Sequence, residues 1–106
     1  MKVYNKLVRD RILEIIEAKG SHCHYEVLSD EGYLAALEAK LTEELNEYRA
    51  SKELEELADI LEVIYAIAEA RGETPESLNR LAEEKAAVRG HFRNKLFLIS
   101  VKDNVK

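Results

Sequence analysis

The stretch between Ser51 and Gly72 constrains the fold most, because it is apolar around almost its whole helical circumference. Leucine, isoleucine, valine, alanine and tyrosine recur there without proline or glycine, which predicts one helix that Ser51 caps and that ends just before Gly72. A helix of this kind belongs at the centre of a protein. Asp59 and Glu62 are the only charged residues between positions 57 and 68. Buried carboxylates are rare unless they are paired or bind a metal, so Asp59 marks a candidate site.

The rest of the chain predicts three further helices, since the sequence of 106 residues contains only one proline and four glycines to interrupt them. Asp30 is a good N-cap for the second helix. Thr74 followed by Pro75 is a strong start for the last helix. The spacing of apolar residues predicts helices over about 7–19, 31–49, 52–71 and 75–89. We therefore expect an all-α protein, a four-helix-type bundle, built as one domain over residues 1–106.

Two short segments outside these helices have the alternation and the composition of strands. They are residues 23–29 and residues 95–101, and we expect them to pair as a small two-stranded β-ribbon. Such a ribbon is marginal alone and needs helices beneath it. The helix after Ser51 is apolar on more sides than a small monomer covers easily. Either the bundle wraps this helix completely or a partner covers it, and we expect a homodimer or a higher homo-oligomer.

Two acidic pairs flank the turn that we expect at residues 50–52. Glu44 and Glu47 precede the turn and Glu56 and Asp59 follow it, and the i,i+3 spacing of each pair puts both carboxylates on one helical face. If the two helices fold back antiparallel, Glu44 lies level with Asp59, and Glu47 lies level with Glu56. Four carboxylates that converge in this way cannot all stay ionised without a counter-charge, which a hard divalent cation supplies.

The chemistry of these donors selects the cation. Carboxylate oxygens without histidine or cysteine favour Mg²⁺, or Mn²⁺, over Zn²⁺. The neighbouring acids Glu43, Glu55 and Glu62 are expected on a solvated surface. In the alternative interpretation all of these acids form the salt-bridged outer face of an ordinary bundle, and the charge pattern taken alone favours that alternative.

The sign of the charge changes along the chain. Residues 38–62 carry nine acids against three bases, whereas residues 80–106 carry seven bases against three acids. This pattern is typical of a site in which acidic residues bind a cation and basic residues bind the phosphates of a substrate. The net charge of −5 argues against a nucleic-acid partner. A single cysteine, no apolar run that reaches the length of a membrane span and no signal-peptide pattern at the N-terminus predict a cytoplasmic protein with no membrane partner.

The acidic motifs also carry a resemblance to a known family. The sequence reads E-E-L-N-E at 43–47 and E-E-L-A-D-I-L-E-V-I at 55–64. This resembles the MazG family of all-α nucleoside triphosphate pyrophosphohydrolases, whose signature is E-x-x-E, a spacer and E-x-x-D. The opening Y-N-K-L-V-R-D-R-I at 4–12 and the closing K-A-A-V-R-G-H-F-R-N-K-L-F-L at 85–98 resemble a small MazG-like branch, often described as phosphoribosyl-ATP pyrophosphohydrolase-like. The resemblance covers nearly the whole chain.

The resemblance implies a dimeric helical bundle that uses Mg²⁺ to cleave an NTP or dNTP between its α- and β-phosphates, giving a monophosphate and pyrophosphate. It implies metal binding by Glu44, Glu47, Glu56 and Asp59. We expect the first two, Glu44 and Glu47, to act as catalytic carboxylates as well. We assign the substrate phosphates to three basic residues that match the branch, Lys6, Arg9 and Lys95. Two alternatives stay open: hydrolysis of phosphoribosyl-ATP in histidine biosynthesis, and a non-enzymatic oligomeric helical module that binds a partner.

Overall fold

A computed structural model describes residues 1–103 of the chain. Its regular elements within that range are the helices α1 (Ile12–Ala18), α2 (Asp30–Ser51), α3 (Leu54–Ala70) and α4 (Pro75–Arg89). The prediction of an all-α protein is therefore confirmed. α1 is shorter than predicted, because residues 7–11 are not helical and Arg11 supplies no side-chain cap. None of the helices in this range combines the length and the apolar character that crossing a membrane requires.

Ser29, rather than Asp30, caps α2. Its hydroxyl oxygen accepts a hydrogen bond of 3.2 Å from the backbone N–H of Gly32, and Asp30 becomes the first helical residue. The prediction of Asp30 as the cap is wrong by one residue, because serine and aspartate side chains accept the same kind of bond. An acidic residue in the first turn is still favourable, since it faces the positive end of the helix dipole.

α2 and α3 fold back on each other across a short connection formed by Lys52 and Glu53. Lys52 adopts the left-handed conformation, with φ at 60°, and its N–H donates a hydrogen bond of 2.7 Å to the carbonyl oxygen of Tyr48. Ser51 is the last residue of α2, so its prediction as the cap of α3 is wrong. The Ser51 hydroxyl instead accepts a hydrogen bond of 3.1 Å from the N–H of Glu53. The predicted hairpin forms, with its turn shifted towards α3.

α4 begins as predicted, with Pro75 in its first turn. The Thr74 hydroxyl accepts a hydrogen bond of 3.0 Å from the N–H of Ser77, and the Ser77 hydroxyl accepts one of 3.1 Å from the N–H of Thr74. This reciprocal pair satisfies two amides near the start of the helix. α4 packs against α3, where the Tyr65 hydroxyl donates a hydrogen bond of 3.2 Å to the side-chain oxygen of Asn79. α2, α3 and α4 thus form the bundle, and α1 makes no close contact with another described helix.

The predicted β-ribbon is not formed within the single chain, and that prediction is wrong for the chain alone. Neither residues 23–29 nor residues 95–101 form a strand, and no backbone hydrogen bond joins them in the described range. Helices cover little of either segment: Cys23 contacts Leu13 and Glu17 of α1, but Tyr25 is 62% exposed and Phe97 is 89% exposed. A two-stranded ribbon without an apolar surface beneath it is not stable in water, which explains the difference.

The bundle buries few side chains. Over residues 1–103, the buried apolar residues are Leu37 of α2 and Val63 and Ala68 of α3. Leu54 and Leu61 of α3 are 78% and 46% exposed, so the prediction that this helix is buried on nearly every side is wrong for the single chain. The molecule is elongated, with a radius of gyration of 19.2 Å. A globular chain of similar length has a radius of about 13 Å.

Candidate metal centre

The acidic pairs predicted from the sequence meet between α2 and α3. Carboxylate oxygens of Glu44, Glu56 and Asp59 lie within 4.8 Å of one another, so both helices contribute to one small volume. Oxygens of Glu43, Glu44 and Glu47 form a second group within the same distance, along α2 alone. Glu44 belongs to both groups. Glu47 is grouped with residues of α2 alone and not with Glu56 and Asp59. We call the two groups, linked by Glu44, the constellation.

Glu44 is the buried carboxylate of this constellation, with only 6% of the residue exposed. Its Oε1 lies 3.3 Å from the Nζ of Lys40, one helical turn earlier on α2. Its Oε2 is buried and has no hydrogen-bond partner in the described part of the chain. A buried charged oxygen without a donor is costly in free energy. Of the carboxylate oxygens in the site, Oε2 is therefore the one that would gain most from a cation.

Burial raises the pKa of the Glu44 carboxyl above its ordinary value of 4.5. The nearby Lys40 ammonium lowers this pKa, whereas the negative charge of Glu47 raises it further. The raised pKa means that the surroundings disfavour the charged form of Glu44 even with Lys40 beside it. A divalent cation reverses this balance, because it stabilises the ionised carboxylate.

The other three predicted ligands are more open to solvent than Glu44. Glu56 and Asp59 are half-buried, and Glu47 is exposed. The constellation is therefore shielded from solvent at Glu44 and exposed to solvent at Glu47. One side of the site is therefore accessible to water and to a dissolved ligand.

Glu43 lies at the edge of the site, and 33% of its side chain is exposed, so it is partly solvated. Its carboxylate is held between two ammonium groups, with the Nζ atoms of Lys6 and Lys40 each 3.5 Å from one of its oxygens. These two contacts leave Glu43 half-buried. The other two acids predicted on the surface, Glu55 and Glu62, are exposed as expected.

Lys40 is the residue of the site that sequence reasoning missed. It contacts Glu43 at i,i+3 and Glu44 at i,i+4, and its side chain is only 19% exposed. The signal was available in the sequence, because a base three and four residues before two acids lies on the same face of a helix. Lys40 supplies a positive charge beside the buried carboxylate.

Two of the three predicted phosphate-binding residues lie at the carboxylates. The Arg9 guanidinium donates a hydrogen bond of 2.7 Å from Nη2 to Oδ1 of Asp59. Lys6 contacts Glu43, so the segment that precedes α1 runs along the acidic face of the hairpin. Lys95 is not brought to this site. It lies in the segment after α4 and makes no ion pair within residues 1–103.

Comparison with curated proteins finds a partial relative. Over 46 residues the chain is 54% identical to an uncharacterized protein from Mycolicibacterium smegmatis. The match covers 43% of this chain and 47% of that protein, so the chain spans about half the length of the curated relative it matches. No family model and no solved structure matches the chain.

Proposed function

We propose that the protein is a Mg²⁺-dependent nucleoside triphosphate pyrophosphohydrolase of MazG-like type. It would cleave an NTP or dNTP between the α- and β-phosphates and release a nucleoside monophosphate and pyrophosphate. The observation that carries this proposal is the buried Oε2 of Glu44, which has no hydrogen-bond partner in the described range and belongs to a cluster of carboxylates. The basic side chains at the same cluster favour a phosphate-bearing substrate over a cation alone.

The donors of the site fit a hard cation. All the candidate ligands are carboxylates: Glu44, Glu47, Glu56 and Asp59. This set suits Mg²⁺ or Mn²⁺, which bind oxygen, rather than Zn²⁺. Mg²⁺ commonly binds through one or two protein carboxylates together with substrate phosphates, so the open side of the site suits a nucleotide. When bound, the cation would neutralise phosphate charge and stabilise the charge that develops during hydrolysis.

The side chains of the protein would orient the substrate and move the proton. Glu47 is exposed beside Glu44, so its carboxylate can accept a proton from the water that attacks the phosphorus. The raised pKa of Glu44 makes its carboxylate a stronger base than an ordinary glutamate until a cation binds it. Arg9 and Lys6 can hold phosphate oxygens, and a guanidinium can bind two such oxygens at once.

The proposal includes a homodimer or a higher homo-oligomer that acts on dissolved nucleotides in the cytoplasm. The single chain exposes 9998 Å². A folded monomer of 12.1 kDa exposes about 6000 Å². A second copy would cover the exposed leucines of α3, such as Leu54.

A panel of substrates tests the activity. NTPs, dNTPs and phosphoribosyl-ATP are incubated with the protein over a range of Mg²⁺ concentrations, and pyrophosphate is measured. We expect Mg²⁺-dependent release from at least one NTP or dNTP. If pyrophosphate is released from phosphoribosyl-ATP alone, the protein is a phosphoribosyl-ATP pyrophosphohydrolase instead. No release from any substrate by the folded protein would contradict the enzyme and favour a non-enzymatic helical module.

A further inference from the structure

Two segments without regular secondary structure lie outside the helical bundle, and most of their backbone N–H groups have no hydrogen-bond acceptor within the described residues. The first is residues 23–28, before α2, and the second is residues 91–101, after α4, which we call the C-terminal arm. The one backbone hydrogen bond within the described arm runs from the N–H of Lys95 to the carbonyl oxygen of Phe92, at 3.2 Å. Residues 24–28 donate no backbone hydrogen bond within the described chain. Extended backbone with unpaired N–H and C=O groups is a template for strand pairing.

The C-terminal arm is also strongly apolar. Large apolar side chains in it are between 73% and 99% exposed: Phe92, Leu96, Phe97, Leu98, Ile99 and Val101. In an extended strand, residues 96 and 98 lie on one face and residues 97, 99 and 101 on the other. Both faces of the arm are therefore apolar, as in strands that are covered on both sides. An exposed apolar segment of this size indicates an interaction surface.

The two segments leave the bundle at different ends. The first segment stops where α2 begins, and the hairpin packing places that end of α2 beside the connection between α3 and α4. α4 then carries the chain through 15 residues, or about 22 Å, before the arm begins. One chain thus presents one segment at each end of a bundle, in a molecule that measures 72 Å along its longest axis.

We propose that residues 23–28 of one copy pair with residues 96–101 of a second copy, and reciprocally, in a homodimer with exchanged arms. A two-fold axis that sets two elongated bundles antiparallel brings each arm beside the first segment of the other copy, so both pairings form together. The surface of the single chain, 9998 Å², exceeds that of a folded monomer by about 4000 Å². Two copies together carry an excess of about 8000 Å², and an obligate homodimer buries about 2000–5000 Å² in total, so the excess is sufficient.

Cysteine cross-linking distinguishes pairing between copies from pairing within one chain. In a Cys23→Ser background, Tyr25→Cys is combined in turn with a cysteine at each position from 96 to 101. We expect at least one pair to form a disulfide that gives a covalent dimer on a non-reducing gel, with position 25 linked to the arm in peptide mapping. A disulfide within one chain would overturn the proposal. No linkage between position 25 and any arm position would overturn it as well.

A charged substitution in the C-terminal arm tests the same interface, because light scattering reports whether the protein is still a dimer. Ile99 is 88% exposed in the single chain, so Ile99→Asp leaves the isolated fold intact but would bury a charge in the paired arm. We expect light scattering to give a dimer for the unmodified protein and a dimer constant at least about 100-fold weaker for Ile99→Asp.

Val88→Asp is the matched control, because Val88 is 86% exposed on α4 and lies outside the arm. We expect this variant to keep the dimer. A monomeric unmodified protein, an unchanged mass for Ile99→Asp, or equal dissociation by Val88→Asp would each overturn the exchange. None of these tests involves a cation or a nucleotide, so their failure is distinct from a failure of the hydrolase.

Discussion

The carboxylates of Glu44 on α2 and Asp59 on α3 bring oxygens within 4.8 Å of each other across the hairpin. Each carboxylate also contacts a base, Lys40 at 3.3 Å and Arg9 at 2.7 Å. The Arg9 and Asp59 side chains are 56% and 40% exposed, so this pair stabilises the fold by at most about 1 kcal/mol. Its importance is positional, because it holds a guanidinium at the edge of the candidate cation site.

Replacing Asp59 by asparagine removes the charge of a proposed metal ligand and keeps the size of the side chain. We expect Asp59→Asn to lower kcat/KM for the best nucleotide at least about 100-fold, since even partners one step removed from a metal affect activity by 10–100-fold. Glu62→Gln is the matched control, because Glu62 is exposed on the same helix, and it should keep full activity. Circular dichroism checks that both variants fold. An active Asp59→Asn variant would remove this residue from the mechanism.

Binding of a cation to the folded state should raise the stability of the protein. At a concentration 100 times the dissociation constant, the gain is about 2.7 kcal/mol. We expect the melting temperature to rise with millimolar Mg²⁺ or Mn²⁺, and Ca²⁺ serves as a comparison. Glu44→Gln should show little or no rise, because it removes the charge of the one buried carboxylate. An equal rise in Glu44→Gln would place the cation elsewhere.

The raised pKa of Glu44 predicts a pH dependence of stability in the presence of a chelator. The folded state binds the Glu44 proton more tightly than the unfolded state, so this group destabilises the fold progressively as the pH rises through its ordinary value of 4.5 and on through the raised value. Glutamine does not titrate. We expect the free energy of unfolding of Glu44→Gln, relative to the unmodified protein, to increase between pH 4 and neutral pH. Urea unfolding at a fixed protein concentration measures this difference in free energy between the two proteins. A difference that does not change with pH would contradict titration of Glu44 as its cause.

The contact between Arg9 and Asp59 allows two roles for Arg9, which are binding of substrate phosphate and positioning of Asp59. Replacing Arg9 distinguishes them. If it holds substrate phosphate, Arg9→Gln raises KM for the nucleotide by about 10-fold or more, as loss of a charge-assisted hydrogen bond predicts. The same variant should bind Mn²⁺ at least as tightly as the unmodified protein, because a competing positive charge has been removed from Asp59. Steady-state kinetics and calorimetry measure the two effects. Weaker Mn²⁺ binding with an unchanged KM would assign Arg9 to positioning Asp59.

The helices and the convergence of the acids were predictable because both depend on local spacing. The i,i+3 pairs and their placement around one turn are enough to bring Glu44 and Asp59 together. The exact caps were less predictable: neighbouring polar residues compete for the same amide, as Ser29 and Asp30 do. Lys40 was missed although its spacing to Glu44 is also local.

The environment of the extended segments was not predictable from local pattern. Residues 23–29 and 95–101 have the composition of strands, but a strand forms only where a partner satisfies its backbone. The burial of α3 depends in the same way on what covers Leu54 and Leu61, which one chain leaves exposed. Periodicity identifies an apolar face, whereas the residues that cover it belong to tertiary or quaternary packing.

We propose that the carboxylates around Glu44 support cleavage between the α- and β-phosphates. Phosphorus NMR of a reacting nucleoside triphosphate with Mg²⁺ tests it most directly, because it identifies the bond that breaks. We predict signals of a nucleoside monophosphate and pyrophosphate, which do not appear with a chelator or with Glu44→Gln. An unchanged triphosphate, or its conversion to a diphosphate and inorganic phosphate, would contradict the claim.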